Sequence, residues 1–297
     1  MERFALSQFT TNLSFEEDLA LCTRLGIPAI ELCERKLSTD PRQAAAQLQA
    51  VPEAGLRVCS VQARVHSVFP DSMAAEPSDP QARFDAMRRT MDLVGGALPE
   101  EKPVYVLISG RAPNHDLAHA REVLFENAVR LSSEAAARGV RVAFEPLHSV
   151  MMNTDSFICT WSEAVTLAYA VGHESFGLVC DLWNVWDQPE ILAHVWESID
   201  SVALVHASDW RNGGPRRLND RLVPGRGLIP FADWGEMLRE AGYDRWVALE
   251  MLSDPTLPDS YLHESTADVI AESHRVLHAA GCLTPAWSDS AGVGRRP

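Results

Sequence analysis

Four short stretches of this chain each end in a side chain able to bind a cation or move a proton. Arg141-Val142-Ala143-Phe144 runs into Glu145, Phe176 to Cys180 into Asp181, Val202 to Val205 into His206, and Trp246 to Leu249 into Glu250. Pro146 closes the first of them. A proline has no N–H to give to a strand ladder, so Glu145 sits at or just past a strand's carboxyl end. The successive donors are 36, 25 and 44 residues apart. Each interval holds one strand–helix unit of roughly 30 residues plus loops. If the strands are parallel, the four donors converge at one end. Three carboxylates and one imidazole then form a site for one divalent ion, of a type that suits hard or borderline metals. Mn²⁺ is the expected ion, with Mg²⁺, Co²⁺ or Zn²⁺ as alternatives; zinc more often takes sites richer in nitrogen and sulfur. Each residue alone has a plainer reading, as a helix cap or a hydrogen-bonded packing group. It is the recurrence on four successive strands that points to a metal.

The elements that must position these donors are legible around them. Phe4-Ala5-Leu6, Ile27 to Leu32, Arg57 to Val65 and Val104 to Ile108 read as four earlier strands. Ser14-Phe15-Glu16-Glu17 is a capping box, Leu19, Cys22 and Leu25 mark the apolar face of the helix it opens, and Gly26 ends it. Further helices are expected over Pro41–Ala54, Gln81–Leu98 and Asp116–Arg138, from Ser162, and over Pro189–Ser198, Phe231–Ala241 and Thr266–Ala280. Four junctions share one figure, a helix end, a glycine and then an apolar strand: Leu25-Gly26-Ile27, Ala54-Gly55-Leu56, Arg138-Gly139-Val140 and Ala241-Gly242-Tyr243. The strands are near-continuous apolar runs, as expected when both faces are covered. Eight such units predict an α/β fold of a single domain, a (β/α)8 (TIM) barrel over residues 1–285. Residues 286–297 are expected to be a tail, either disordered or a packing arm. No G-x-G-x-x-G follows any strand, which disfavours a dinucleotide fold. The loop from Ser67 to Pro80 is long enough for a lid or a substrate loop.

Composition narrows the partners. Hydrophobic residues make up 46% of the chain, enough for a covered sheet, yet no apolar run approaches the roughly 20 residues that span a bilayer. The start, Met1-Glu2-Arg3-Phe4, shows no apolar signal segment. The six cysteines are scattered without a C-x-x-C pair and read as reduced thiols of a cytoplasmic protein. A net charge of −15 repels a phosphate backbone and argues against nucleic acid. The expected partner is a small molecule, with no membrane, and assembly into a homo- or hetero-oligomer is left open.

Glu145-Pro146-Leu147-His148, Cys180-Asp181-Leu182-Trp183-Asn184-Val185-Trp186, Val205-His206-Ala207-Ser208-Asp209-Trp210 and Asp220-Arg221-Leu222-Val223-Pro224-Gly225-Arg226-Gly227 together resemble the xylose isomerase-like sugar (phosphate) isomerase/epimerase family. The similarity covers most of the chain and is most specific from Val140 to Leu252. It implies one divalent metal on Glu145, Asp181, His206 and Glu250. It also implies that Glu145 and Glu250 flank the substrate and move protons on either face of a carbon beside a carbonyl. Removing that proton leaves an enediolate, whose charge a metal on the neighbouring oxygens would stabilise. His148, in the loop after Glu145, is a further candidate for acid/base work or hydroxyl binding. The resemblance favours Arg221 as a ligand of a substrate oxygen, and Asn184, His66 and Trp183 complete the expected substrate-binding set. Glu31 is a candidate pocket wall. Trp183, Trp186 and Trp210 could form an apolar wall for a sugar face or belong to the core.

One departure stands out. Many members of the family carry a histidine where this chain has Asn184, and an asparagine can bind a hydroxyl but cannot carry a proton at neutral pH. That weighs against simple aldose–ketose isomerisation. Ser109 and Asn184 also stand near two positions that are histidine in the related three-zinc DNA-repair enzyme endonuclease IV, so DNA cleavage is not expected. The expected activity is metal-dependent isomerisation or epimerisation of a keto-sugar or related polyol. The alternatives are a lyase, which would follow the same proton removal with elimination from a keto-inositol or an oxidised glycoside, and a non-catalytic barrel subunit of a complex.

Overall fold

Local chemistry sets the first repeat. Strand β1 (Phe4–Ser7) leads to helix α1 (Phe15–Leu25), capped by Ser14. The Ser14 hydroxyl accepts from the Glu17 N–H, and the Glu17 carboxylate accepts from the Ser14 N–H. Gly26 ends the helix at φ 69°, a left-handed conformation open to glycine at little steric cost, and the chain turns at once into β2 (Ala29–Cys33). The computed structural model describes residues 2–213 and 216–284, and across them the unit repeats. α2 (Pro41–Glu53), β3 (Arg57–Gln62), α3 (Pro80–Ala97), β4 (Val104–Leu107), α4 (Leu117–Ala136) and β5 (Arg141–Phe144) form the first half with the elements above. α5 (Trp161–Val171), β6 (Phe176–Asp181), α6 (Leu182–Val185), α7 (Ile191–Glu197), β7 (Val202–Ala207), α8 (Phe231–Glu240), β8 (Val247–Leu249) and α9 (Thr266–Ala279) complete it.

The eight strands form a closed barrel in sequence order, every neighbouring pair parallel and β8 closing on β1. The core has two layers. Large side chains such as Phe144, Leu178 and Val205 pack outward among the helices. A second cluster built mostly of small residues, including Ala5, Ala29, Ala143, Val179, Leu204 and Ala248, fills the barrel interior. Side chains alternate faces along a strand, so a residue two positions beyond an interior one also points inward. Glu145, Asp181, His206 and Glu250 each stand two residues after an interior Ala143, Val179, Leu204 or Ala248. The same alternation turns Glu31 inward, two residues after Ala29.

The expected strands all form, the third ending at Gln62 rather than Val65. Helix α5 starts one residue early, at Trp161, because Thr160 rather than Ser162 supplies the N-cap oxygen. The short α6 was not expected: Asp181 ends β6 and at once accepts from the Trp183 N–H, starting a helical turn at the strand's own end. All six cysteines are buried and unpaired. The tail expected at 286–297 lies outside the described residues.

Candidate metal centre

At the carboxyl ends of β5, β6, β7 and β8, each of Glu145, Asp181, His206 and Glu250 offers one donor atom, and these atoms all lie within 4.8 Å of one another. All four residues are buried. The His206 Nε2–H donates to Glu31 Oε2 at 2.9 Å, and Glu31 is held in turn by the Ser60 hydroxyl at 2.7 Å. That contact leaves His206 Nδ1 facing Glu145 Oε1 at 3.7 Å and Glu250 Oε2 at 3.5 Å, and Nδ1 is buried with no hydrogen-bond partner among the described residues. A buried, unpartnered imidazole nitrogen among three carboxylates is what a metal ligand looks like before the ion is added. A carboxylate on the other ring nitrogen is the usual support for such a ligand. The residues fit a divalent ion.

Two other side chains brace the carboxylates. Asn184 Nδ2 donates to Glu145 Oε1 at 3.0 Å and to Asp181 Oδ2 at 2.8 Å, while its Oδ1 accepts from the His148 N–H at 3.0 Å. Arg221, almost fully buried, pairs Nη2 with Asp181 Oδ2 at 2.8 Å and Nη1 with Glu250 Oε2 at 2.9 Å. Gln62 Nε2 donates to the other Glu250 oxygen at 2.9 Å. Burial pushes Glu250 up to about 8 and Asp181 up to about 6, with His206 and Arg221 opposing both and Glu145 adding to both. Burial would lower the His206 imidazole, but Glu31 and Glu250 outweigh it and hold the ring well above its ordinary value.

The cluster opens into a cavity whose walls include Phe9, Gln62, His66, Met73, Leu218 and Leu252 as well as Glu145, Arg221 and Glu250. Of the residues expected to bind substrate, His66 and Arg221 line this cavity. His66 Nδ1 donates to the Ala63 carbonyl at 3.2 Å, and Nε2 lies 3.6 Å from Asp71 Oδ2. Trp183 and His148 are not among the cavity walls. Trp183 is fully buried beneath the Arg221 guanidinium, 5.1 Å from it, with its ring centroid 4.6 Å from that of Trp210. His148 Nδ1 accepts from the Val150 N–H at 3.1 Å, and Nε2–H donates to Asp187 at 3.2 Å. Asn184 is fully buried behind the carboxylates it braces. Glu31 lies beneath the cluster as the partner of His206 and is not a pocket wall. Burial would raise its carboxyl, but the imidazole outweighs that and holds it below its ordinary value.

The loop from Ser67 to Pro80 is tied down. Arg83 Nε donates to the Ser67 carbonyl at 2.7 Å, and Nη1 donates to the Ala74 and Pro77 carbonyls at 2.9 Å each. Asp71 Oδ1 accepts from the Met73 and Ala74 N–H groups at 2.7 Å each. These contacts anchor the loop, which carries Asp71 and Met73 into the cavity wall. Gln62, Asp71 and Asp155 went unmarked in the sequence. Only the β3-end position of Gln62, four residues before His66, could have flagged any of them.

A family model described as a xylose isomerase-like TIM barrel matches residues 19–279. The chain belongs to the xylose isomerase-like TIM barrel family. Three solved structures of this fold illustrate the likeness. Protein SMc04130 from Sinorhizobium meliloti 1021 superposes with a TM-score of 0.79 at 21% identity, over 94% of this chain and 98% of that one. The IOLI protein with a binding zinc atom gives 0.76 at 17% identity, over 94% and 98%. L-ribulose 3-epimerase gives 0.72 at 16% identity, over 95% of each chain. No curated protein matches the sequence significantly. Among the described residues, no helix of this xylose isomerase-like barrel is long and apolar enough to cross a membrane.

Proposed function

We propose that the chain is a divalent-metal-dependent isomerase or epimerase of a keto-sugar or related polyol, acting by proton removal α to a carbonyl. The observation that carries this reading is the pair Glu145 and Glu250, on β5 and β8, meeting at His206 Nδ1 and both lining one cavity. Membership of the xylose isomerase-like family supports it, as does the likeness to an epimerase. Mn²⁺ is our expected ion, with zinc the nearest alternative given the zinc atom in one structural neighbour. Glu145, Asp181, His206 Nδ1 and Glu250 would hold the ion, which when bound supplies Lewis-acid stabilisation of negative charge on the substrate's oxygens.

The chain's own residues do the rest. Asn184 fixes Oε1 of Glu145, while Oε2 has no hydrogen-bond partner among the described residues, so this oxygen is presented to take the substrate proton. Glu250, held on both oxygens by Gln62 and Arg221, stands ready on the other side to return one. Arg221 fixes Asp181 and Glu250 and presents its cavity face to a substrate oxygen, and His66 lies within reach of a hydroxyl. His148, Trp183 and Asn184 act by holding these groups in place. The six buried thiols suit a reducing compartment, and we place the protein in the cytoplasm. Metal-loaded protein incubated with a panel of keto-sugars in D₂O should exchange a carbon-bound hydrogen, read by NMR. Excess chelator should abolish the exchange and Mn²⁺ restore it. Full exchange in excess chelator, or none with any ketose in the loaded protein, would overturn the proposal.

A further inference from the structure

We infer that the cavity is built for an uncharged carbohydrate bearing an apolar substituent beyond its reacting end, and that it turns sugar phosphates away; this rests on the carbohydrate reading above. In (β/α)8 barrels a phosphate group is frequently held by backbone N–H groups past strands 7 and 8. Here such N–H groups do converge after β7, but an internal carboxylate already occupies them. Asp209, fully buried, accepts from the Gly225 and Gly227 N–H groups through Oδ2 at 2.8 Å each. Through Oδ1 it accepts from Trp210 at 2.8 Å and Ile229 at 3.0 Å. The approach is close enough to require glycine: a Cβ on Gly227 would lie 2.3 Å from the Trp210 carbonyl oxygen and 2.5 Å from Asp209 Oδ1. These N–H groups are satisfied within the chain, and none of their residues lines the cavity, so they offer a phosphate no backbone cradle there.

Among the described residues, cations near the cavity are already engaged: Arg35, outside its wall, donates to the Met73 carbonyl. Among the described residues, Arg221 is the one arginine or lysine on the cavity wall, and both its amino groups are bound to carboxylates. Burial pushes the His66 imidazole below its ordinary value against the pull of Asp71, so at neutral pH it is an uncharged partner for a hydroxyl. Three ligand carboxylates balance Arg221 and a divalent ion. The remaining charged wall groups, Asp71 and Asp155, are both acidic, and Arg83 offsets only Asp71, at 3.7 Å. Beyond Arg221, a second negative group on the substrate would meet only carboxylates among the charged wall side chains.

The mouth has the opposite character. Phe9, in a 3-10 turn after β1, and Met73, Leu218 and Leu252, on loops past the ends of β3, β7 and β8, are each half-buried and each line the cavity. The four come from separate points around the barrel, and the buried Ile108 and Leu147 complete an apolar collar above the polar floor. A substrate that is hydroxylated at one end only fits both halves.

The test is calorimetric, on wild-type protein loaded with Mn²⁺. Each of the four D-ketohexoses is titrated as the free sugar, as its 6-O-butyl ether and as its 6-phosphate. For at least one sugar the butyl ether should bind at least about 10-fold more tightly than the parent, since each buried methylene contributes about 0.8 kcal/mol. The phosphate should bind more weakly than the parent. Phe9→Ser with Leu252→Ser should shrink the ratio of ether to parent affinity. A phosphate that binds as tightly as the ether, or an ether with no advantage over any parent sugar, overturns the inference. The two readings fail separately. Tight ether binding without hydrogen exchange in D₂O sinks the isomerase and leaves this inference standing; exchange with a preferred phosphate does the reverse.

Discussion

Glu31 and His206 meet inside the barrel floor, Oε2 to Nε2 at 2.9 Å, with both side chains fully buried and 175 residues apart in sequence. This contact decides which nitrogen the carboxylate cluster receives. With Nε2–H committed to Glu31, Nδ1 is the nitrogen left for a metal.

Glu31 should therefore control metal affinity although it is not a ligand. Glu31→Gln keeps the shape but removes the charge that orients and polarises the imidazole, and loss of such a partner typically costs 10–100-fold in affinity. Competition with a chromogenic chelator would measure it, with circular dichroism to check the fold. Wild-type affinity in a folded variant would show that Glu31 is packing alone.

Asp181 is a ligand candidate, its Oδ1 caps α6 through the Trp183 N–H at 3.0 Å, and its Oδ2 pairs with buried Arg221 at 2.8 Å, so the cap is one part of what its loss would cost. Asp181→Ala should lose stoichiometric metal and also about 1 kcal/mol of stability with the cap. Asp181→Asn should lose the metal but keep most of the cap. Metal content by elemental analysis and urea denaturation separate the two. Normal metal binding by Asp181→Ala would mean the site assignment is wrong.

The metal-free protein should become less stable as pH rises. Asp181 and Glu250, pushed up to about 6 and about 8, keep protons in the folded state that the unfolded chain releases near pH 4. The folded state then binds more protons, so stability present at low pH is lost as pH climbs from about 4 through 8. His206, with its folded value raised, adds a loss of the same sign, whereas the lowered Glu31 opposes it only at the acid end. A divalent ion must displace these protons, so metal affinity should rise across the same window. Thermal melts at pH 6 and pH 8.5 should show Tm falling without metal and recovering with Mn²⁺. A metal-free Tm that rises with pH contradicts the burial of these carboxylates.

The two glutamates should separate in isotope exchange. Among the described residues Glu145 has an oxygen without a hydrogen-bond partner and Glu250 has none, so Glu145→Gln should lose C–H exchange in D₂O by about 10²–10⁴-fold. Glu250→Gln can retain exchange while losing net conversion. If both variants, loaded with metal, exchange at the wild-type rate, the glutamates are ligands only. The base would then have to be sought at His66, which lines the same cavity.

Much of this was written locally in the chain. The capping box at Ser14, the helix-ending glycines and the apolar runs each depend on neighbours a few residues away, and together they determine eight strand–helix units. Side-chain alternation then turns Glu145, Asp181, His206 and Glu250 inward once the strands are parallel, so the candidate ligand set needs no long-range information. What surrounds that set depends on closure of the barrel. Glu31 reaches His206, and Gln62 reaches Glu250 across 188 residues, only because register and tilt bring distant strand ends together, including a register shift between Ile30 and Glu31. Asn184, Trp183 and His148 could all have faced a substrate by sequence. The helical turn at Leu182–Val185 sets Asn184 against Glu145 and Asp181, while Trp183 packs on Trp210 and His148. Likewise no local pattern pairs Asp209 with the Gly225 and Gly227 N–H groups 16 and 18 residues further on; the fold does. Short-range periodicity specifies which face a side chain takes, while its partners are set by contacts between segments that no local pattern encodes.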